Sequence, residues 1–76
     1  MAQYNYTLVF EAAPEGGFTV TVPALPGLVT EGDTLDEARA MAKDAIRGYL
    51  ESLVKHGEEI PIEIVPATIE RVDINF

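Results

Sequence analysis

The stretch that decides the fold is residues 34–57, TLDEARAMAKDAIRGYLESLVKHG. Its apolar residues recur at steps of three and four, which is the spacing of one face of an amphipathic α-helix. Thr34 followed by Glu37 has the spacing of a capping box, in which each side chain satisfies a backbone N–H at the helix start. Gly57 is a natural residue to follow a helix end. The pattern predicts one long helix over roughly residues 34–56.

Upstream of this helix, apolar and polar residues alternate at the period of β-strands. Residues 3–11 form the predicted first strand, and residues 18–22 form the second. Between them, residues 14–17 predict a hairpin turn, because proline sets its own φ and the two glycines accept positive φ. After a break at Pro26-Gly27, residues 28–31 are long enough for a short third strand. One face of the first strand is apolar and is expected to face the core: Tyr4, Tyr6, Leu8 and Phe10.

Two further extended segments follow the helix. Residues 60–66 mix β-branched residues with two prolines, which confines them to an edge strand or an extended connector. Val72, Ile74 and Phe76 alternate with polar residues and predict a last strand. The predicted order is β-β-β-α-β, an α+β fold with a small antiparallel or mixed sheet and one long helix on one face.

The length of 76 residues gives room for one domain, residues 1–76, and 47% hydrophobic residues is too many for a disordered chain. A domain of this size buries only about 60% of the surface that its unfolded chain exposes, so its stability alone is expected to be marginal. The chain has no cysteine and therefore no disulfide. Oligomerisation is the usual remedy, and we expect a homo-oligomer.

The net charge of −8 at pH 7 argues against direct binding of nucleic acid or of an anionic membrane, both of which draw on clustered Lys and Arg. The N-terminus lacks the pattern of a signal peptide, and no apolar run is long enough for a membrane span. These features are compatible with a cytoplasmic protein. The charge is uneven, since every charged side chain before Arg39 is acidic. This asymmetry favours a basic partner.

Thirteen acidic residues raise the possibility of a metal-dependent nuclease, which needs several carboxylates converging on a rigid strand. The predicted first strand carries no acid in its middle. Asp33, Asp36 and Glu37 are explained by helix capping and by the helix dipole. His56 is the one histidine and Ser52 the one serine. We therefore expect no catalytic residue, no cofactor and no metal, and a solvated or partner-facing acidic surface instead.

Two features of the helix leave alternatives open. Arg39, Lys43 and Arg47 follow one another at steps of four and form a basic ridge, which is more often a solvated face than a docking site. Gly48 costs about 1 kcal/mol relative to alanine inside a helix. Either it admits another backbone at close range, or it is tolerated at that loss.

The run GGFTVTVPALPG at residues 16–27, continued by TEGDTLDEA at residues 30–38, resembles the HicB family of antitoxins. Tyr6, Glu11 and the segment 42–46 fit the same pattern, and the likeness covers nearly the whole chain. The resemblance implies a partial RNase H-like fold without the nuclease carboxylates. It also implies a partner, the small basic toxin HicA, which cleaves mRNA through a histidine and whose RNA-facing surface the antitoxin covers. Relatives assemble as dimers or tetramers.

On this resemblance we expect a non-enzymatic antitoxin, and we expect the toxin to contact Glu11, Glu15, Glu31 and Asp33. Many relatives carry cysteine where Leu28 stands, and the apolar leucine should fill the same core position. Many relatives also append a DNA-binding domain, which we do not expect here. The alternatives are a self-associating structural or small-ligand module and, less favoured, a metal-dependent nuclease.

Overall fold

The computed structural model describes residues 3–63 and 68–76. Its elements are β1 (Val9–Ala12), β2 (Phe18–Thr21), β3 (Val29–Gly32) and α1 (Leu35–Lys55). The strands form one antiparallel sheet in the order β1-β2-β3, and the helix packs across one face. The predicted α+β class is confirmed, with the element order β-β-β-α.

The helix begins and ends within one residue of the predicted range because both ends are capped. The Thr34 hydroxyl accepts a hydrogen bond of 3.0 Å from the Glu37 N–H, and the Asp33 N–H donates to the Glu37 carboxylate at 3.4 Å. At the other end, Gly57 takes a φ of 70°, and the Glu58 N–H reaches the Leu53 carbonyl at 2.9 Å. This left-handed ending is a Schellman motif, which glycine accepts without steric cost.

The sheet register is set by the turn between β1 and β2. The Ala13 N–H donates to the Gly17 carbonyl at 3.0 Å, and Gly16 N–H donates back to the Ala13 carbonyl at 3.0 Å. Gly16 and Gly17 have φ of 106° and 80°, as the predicted hairpin requires. Phe10 consequently lies opposite Val20, and Val20 lies opposite Thr30.

The core lies between this row of the sheet and the helix. Val20, Ala38 and Ala42 are fully buried together, with Phe10 and Leu8 packed against them. The small alanines let the helix approach the sheet closely. A second cluster beneath the loop contains Val22, Leu25 and Leu28, of which Leu28 is only 8% exposed. The expectation that Leu28 fills a core position is confirmed.

The segments at either end of the chain differ from prediction. The first strand begins at Val9 rather than at residue 3. Tyr6, Leu8 and Phe10 face the core as predicted, whereas Tyr4, which was predicted to do the same, is exposed. The strand predicted over residues 72–76 is not formed, because the segment pairs with no strand of the described chain and its side chains are exposed. The segment predicted over residues 60–66 is described only as far as residue 63, without strand pairing. Its remaining residues lie outside the described part.

Candidate functional site

The face of the sheet that points away from the helix is the candidate site. Because successive residues of a strand point to opposite faces, the row next to the buried Phe10–Val20–Thr30 row points outward. That outward row is Glu11, Thr19 and Glu31, with Thr19 paired to both neighbours. Both glutamates are exposed. The register therefore places two carboxylates on the same open face, one on each edge strand.

The other two predicted contact residues lie at the same end of the sheet. Glu15 is exposed in the turn that joins β1 to β2. Asp33 follows Gly32, which lies opposite Phe18. Asp33 lies close to the turn between β1 and β2, since a Cβ added to Gly17 would lie 3.5 Å from the Asp33 Cα. The structure thus gathers Glu11, Glu15, Glu31 and Asp33 at the hairpin end of the sheet, and all four are exposed.

Neighbouring charges do little to neutralise this end. Within residues 3–63 and 68–76, one salt bridge is present, between Arg39 and Asp36 at 2.8 Å. The Arg39 guanidinium also lies 5.8 Å from the centre of the Phe10 ring, within the range of a cation–π contact. Arg39 therefore faces its own helix and sheet, while the four acids at the hairpin end form an anionic surface.

A hydrogen-bonded carboxylate that sequence reasoning missed lies beside the residues that precede β1. The Glu63 carboxylate accepts a hydrogen bond of 2.7 Å from the Thr7 N–H and a second one from the Thr7 hydroxyl. These hydrogen bonds, the hydroxyl first, hold the pKa of Glu63 below its usual value of 4.5 against an opposing desolvation. The two residues are 56 positions apart, so no local spacing points to this contact.

Tyr6 lies beside this carboxylate and ties the same two segments together. Its hydroxyl donates to the Pro61 carbonyl at 2.5 Å, and its ring stacks on Tyr4 with 6.5 Å between centroids. Burial, and then the neighbouring Tyr4 and Glu63, raise the pKa of Tyr6 above its usual value of 10.0. The neutral phenol therefore acts as a structural donor. Pro61 and Glu63 are thus held against Tyr6 and Thr7, just before β1.

The acidic side chains and the histidine of the described residues were candidates for catalysis or metal binding. Within them, no group of three His, Cys, Asp or Glu side chains is placed to hold a metal ion. His56 is engaged at the helix end, with Nδ1 2.7 Å from the Ser52 carbonyl oxygen. No helix in the described ranges combines the length and apolarity of a membrane span.

The basic ridge of the helix divides into two parts. Arg39 is held by Asp36 and Phe10, as described above, whereas Lys43 and Arg47 line a groove beside residues 3–8. An added Cβ on Gly48 would meet no described atom within 4 Å. Among the described residues, no close neighbour requires glycine at position 48. Within this part of the chain, Gly48 is therefore tolerated at a cost of about 1 kcal/mol relative to alanine.

Comparison with known proteins shows the family to which the chain is similar. The family model described as "HicB_like antitoxin of bacterial toxin-antitoxin system" matches residues 6–75. A UPF0150 protein of Thermoplasma acidophilum is 50% identical over 57 residues, which cover 75% of this chain and 83% of that protein.

Two proteins named antitoxin HicB also match. One, from Photorhabdus laumondii, is 39% identical over 58 residues, covering 76% of this chain and 37% of that protein. The other, from Escherichia coli K12, is 35% identical over 58 residues, covering 76% of this chain and 42% of that protein. The chain spans less than half the length of these two proteins.

Proposed function

We propose that this chain, which belongs to the HicB-like antitoxin family of bacterial toxin–antitoxin systems, neutralises a small basic HicA-type toxin by covering the surface with which that toxin binds RNA. The proposed role is binding, with no catalytic step performed by this chain. Because the substrate of such a toxin is mRNA, the proposed place of action is the cytoplasm.

The observation that carries the proposal is the shared position of Glu11, Glu15, Glu31 and Asp33 at the hairpin end of the sheet. A protein surface that binds phosphates is rich in Lys and Arg. An exposed anionic surface complements it, speeds the encounter and disfavours acidic competitors. The chain's net charge of −8 acts in the same direction at longer range.

The outward face of the sheet supplies an apolar side chain as well as charge. Thr19 lies between Glu11 and Glu31, so a basic side chain above the threonine would be flanked by two carboxylates. Val29 is 62% exposed, and as the partner of Thr21 it lies in the next outward row. A small apolar area beside paired acids is typical of a protein interface with a polar rim.

The test measures inhibition of a purified HicA-type ribonuclease cleaving a fluorescent RNA. The test variant is Glu11→Gln/Glu31→Gln, and the matched control is Glu58→Gln/Glu59→Gln. Both variants have a net charge two units less negative than the wild type, so they differ in where the charge is lost and not in how much. Glu58 and Glu59 are exposed beyond the far end of the helix.

We expect the test variant to weaken inhibition by about tenfold or more, mainly through slower association, because each lost carboxylate faces a basic surface. The control should inhibit as the wild type does. Extending the test variant with Glu15→Gln and Asp33→Asn should weaken it further. Equal inhibition by the wild type and the fourfold variant would show that this surface does not bind the toxin.

A further inference from the structure

A groove of about 810 Å³ lies between the residues that precede β1 and the second half of α1. Leu8, Ile46 and Leu50 line it and are half-buried, and Val54, also in the lining, is 63% exposed. Apolar surface of this kind is normally covered in a folded protein, since leaving it in water is unfavourable.

The rim of the groove is basic. Lys43, Arg47 and Lys55 line it together with the single acid Glu51. The whole chain contains five Lys and Arg residues, so most of its positive charge borders this one groove. Although the chain has a net charge of −8, the apolar floor and basic rim of this groove fit an apolar segment that also carries carboxylates.

Such a segment is present in the chain itself, at residues 69–76, IERVDINF. Ile69, Val72 and Ile74 are 74%, 77% and 74% exposed, and Phe76 is fully exposed. Glu70 and Asp73 lie among them, with Arg71 as the one base. Val72, Ile74 and Phe76 fall at the period that directs all three to one side of an extended chain.

We propose that the groove of one copy binds residues 69–76 of a second copy, and that the exchange is reciprocal. Val72, Ile74 and Phe76 would cover Leu8 and Leu50, and the acids of the segment would face the basic rim. A twofold-symmetric pair satisfies both grooves and both segments at once.

The dimensions of the single chain support an exchange between copies. Its radius of gyration is 14.6 Å, against about 11 Å for a compact domain of this length. The fully described core is small, with Val20 and Leu25 the largest side chains that are completely buried. Because the domain buries so little volume and has no disulfide, an additional apolar contact with a second copy would add substantially to its stability.

The proposed dimer leaves the anionic surface free. The groove is lined by helix residues from 43 onward, whereas the acids lie at the hairpin end, where Gly32 meets Ala38 in the first turn of the helix. The two surfaces are at opposite ends of the helix. A dimer joined through the groove would present two anionic ends, and its formation does not depend on toxin binding.

The chain has no cysteine, so any disulfide must join cysteines introduced by substitution. We would mix an Arg47→Cys chain with an Ile74→Cys chain under mild oxidation and measure the mixed disulfide by mass spectrometry. The matched control pairs Ile74→Cys with Asp44→Cys, an exposed helix position that does not line the groove. We expect the mixed disulfide with Arg47→Cys and little with Asp44→Cys. Equal cross-linking of the two would overturn the proposal.

Sedimentation equilibrium then tests whether the contact holds the dimer. The variant Val72→Ser/Ile74→Ser/Phe76→Ser changes exposed residues and should leave the circular dichroism spectrum of the monomer unchanged. We expect it to raise the dimer dissociation constant by about a hundredfold or more, as expected for the loss of three apolar anchors. A wild-type chain that stays monomeric at about 100 μM would refute the exchange. A dimer whose dissociation constant is unchanged by the three serines would refute it as well.

A doubly substituted Arg47→Cys/Ile74→Cys chain tests the alternative occupant of the groove. At high dilution, an internal disulfide in a monomer would show that the segment folds back on its own chain, which contradicts the proposal. We expect intermolecular disulfides when the chain is oxidised at high concentration, and no disulfide when it is oxidised at high dilution. The triple serine variant should still inhibit the toxin, because its anionic surface is intact.

Discussion

Replacing Gly32 with alanine tests how closely the helix rests on the sheet. A Cβ at this position would lie 2.4 Å from the Ala38 nitrogen, 2.7 Å from the Ala38 Cα and 2.9 Å from the Glu37 carbonyl carbon. All three atoms belong to the helix backbone, which cannot rotate aside as a flexible side chain can. The first turn of α1 would have to move about 1 Å from β3 to restore the 3.4 Å of an ordinary contact.

The substitution is expected to remove a large part of the free energy of unfolding of so small a domain. Overpacking of a rigid contact costs about 1–3 kcal/mol, and the backbone neighbours place Gly32→Ala at the upper end of that range. A chain of this length has a total stability of about 4–11 kcal/mol. A loss of about 3 kcal/mol lowers the melting temperature by roughly 12–24 °C in a domain of this size. Gly32 lies between Glu31 and Asp33, two of the four acids of the anionic surface, so toxin binding should weaken as well.

Gly48→Ala is the matched control, because the same chemical change is made where an added Cβ meets no described atom within 4 Å. It should stabilise the helix by about 1 kcal/mol and raise the melting temperature by roughly 4–8 °C. Far-UV circular dichroism melts at one fixed protein concentration measure both variants, since self-association makes the melting temperature depend on concentration. A Gly32→Ala protein that melts within about 4 °C of the wild type would refute the close approach inferred here.

Three further predictions concern stability. Thr34→Ala removes the hydroxyl that caps the helix and should cost about 0.5–2 kcal/mol in urea denaturation, whereas Thr34→Ser should cost much less. Leu25→Ala empties a fully buried position and should cost about 2–5 kcal/mol by the same measurement. Because the folded pKa of Glu63 is lowered from 4.5, its contribution is present above that pH and is lost as pH falls through the folded pKa. Melts at pH 6 and pH 3 should therefore show a smaller acid-induced loss for Glu63→Gln than for the wild type, and equal losses would contradict the Thr7 hydrogen bonds.

The helix was predictable because its signals are local. The capping box at Thr34 and Glu37, the apolar spacing and the ending at Gly57 all act within a few residues, and the helix begins and ends within one residue of the predicted range. The hairpin turn was predictable for the same reason, since Gly16 and Gly17 supply the positive φ that the turn needs. The family match over residues 6–75 agrees with the resemblance carried by the run at residues 16–38.

The site depends on contacts that no local pattern specifies. Glu63 accepts hydrogen bonds from Thr7, which is 56 positions away in the sequence. Within the described residues, the segment predicted as a strand over residues 72–76 pairs with no other strand, since strand formation requires a neighbouring edge as well as an alternating sequence. The acidity of the N-terminal half is evident from the sequence, but its arrangement is not. Local sequence alone determined the helix, the turn and the charge; only tertiary structure placed Glu11 and Glu31 on either side of Thr19, because strand register is set by long-range pairing and by burial of the opposite face.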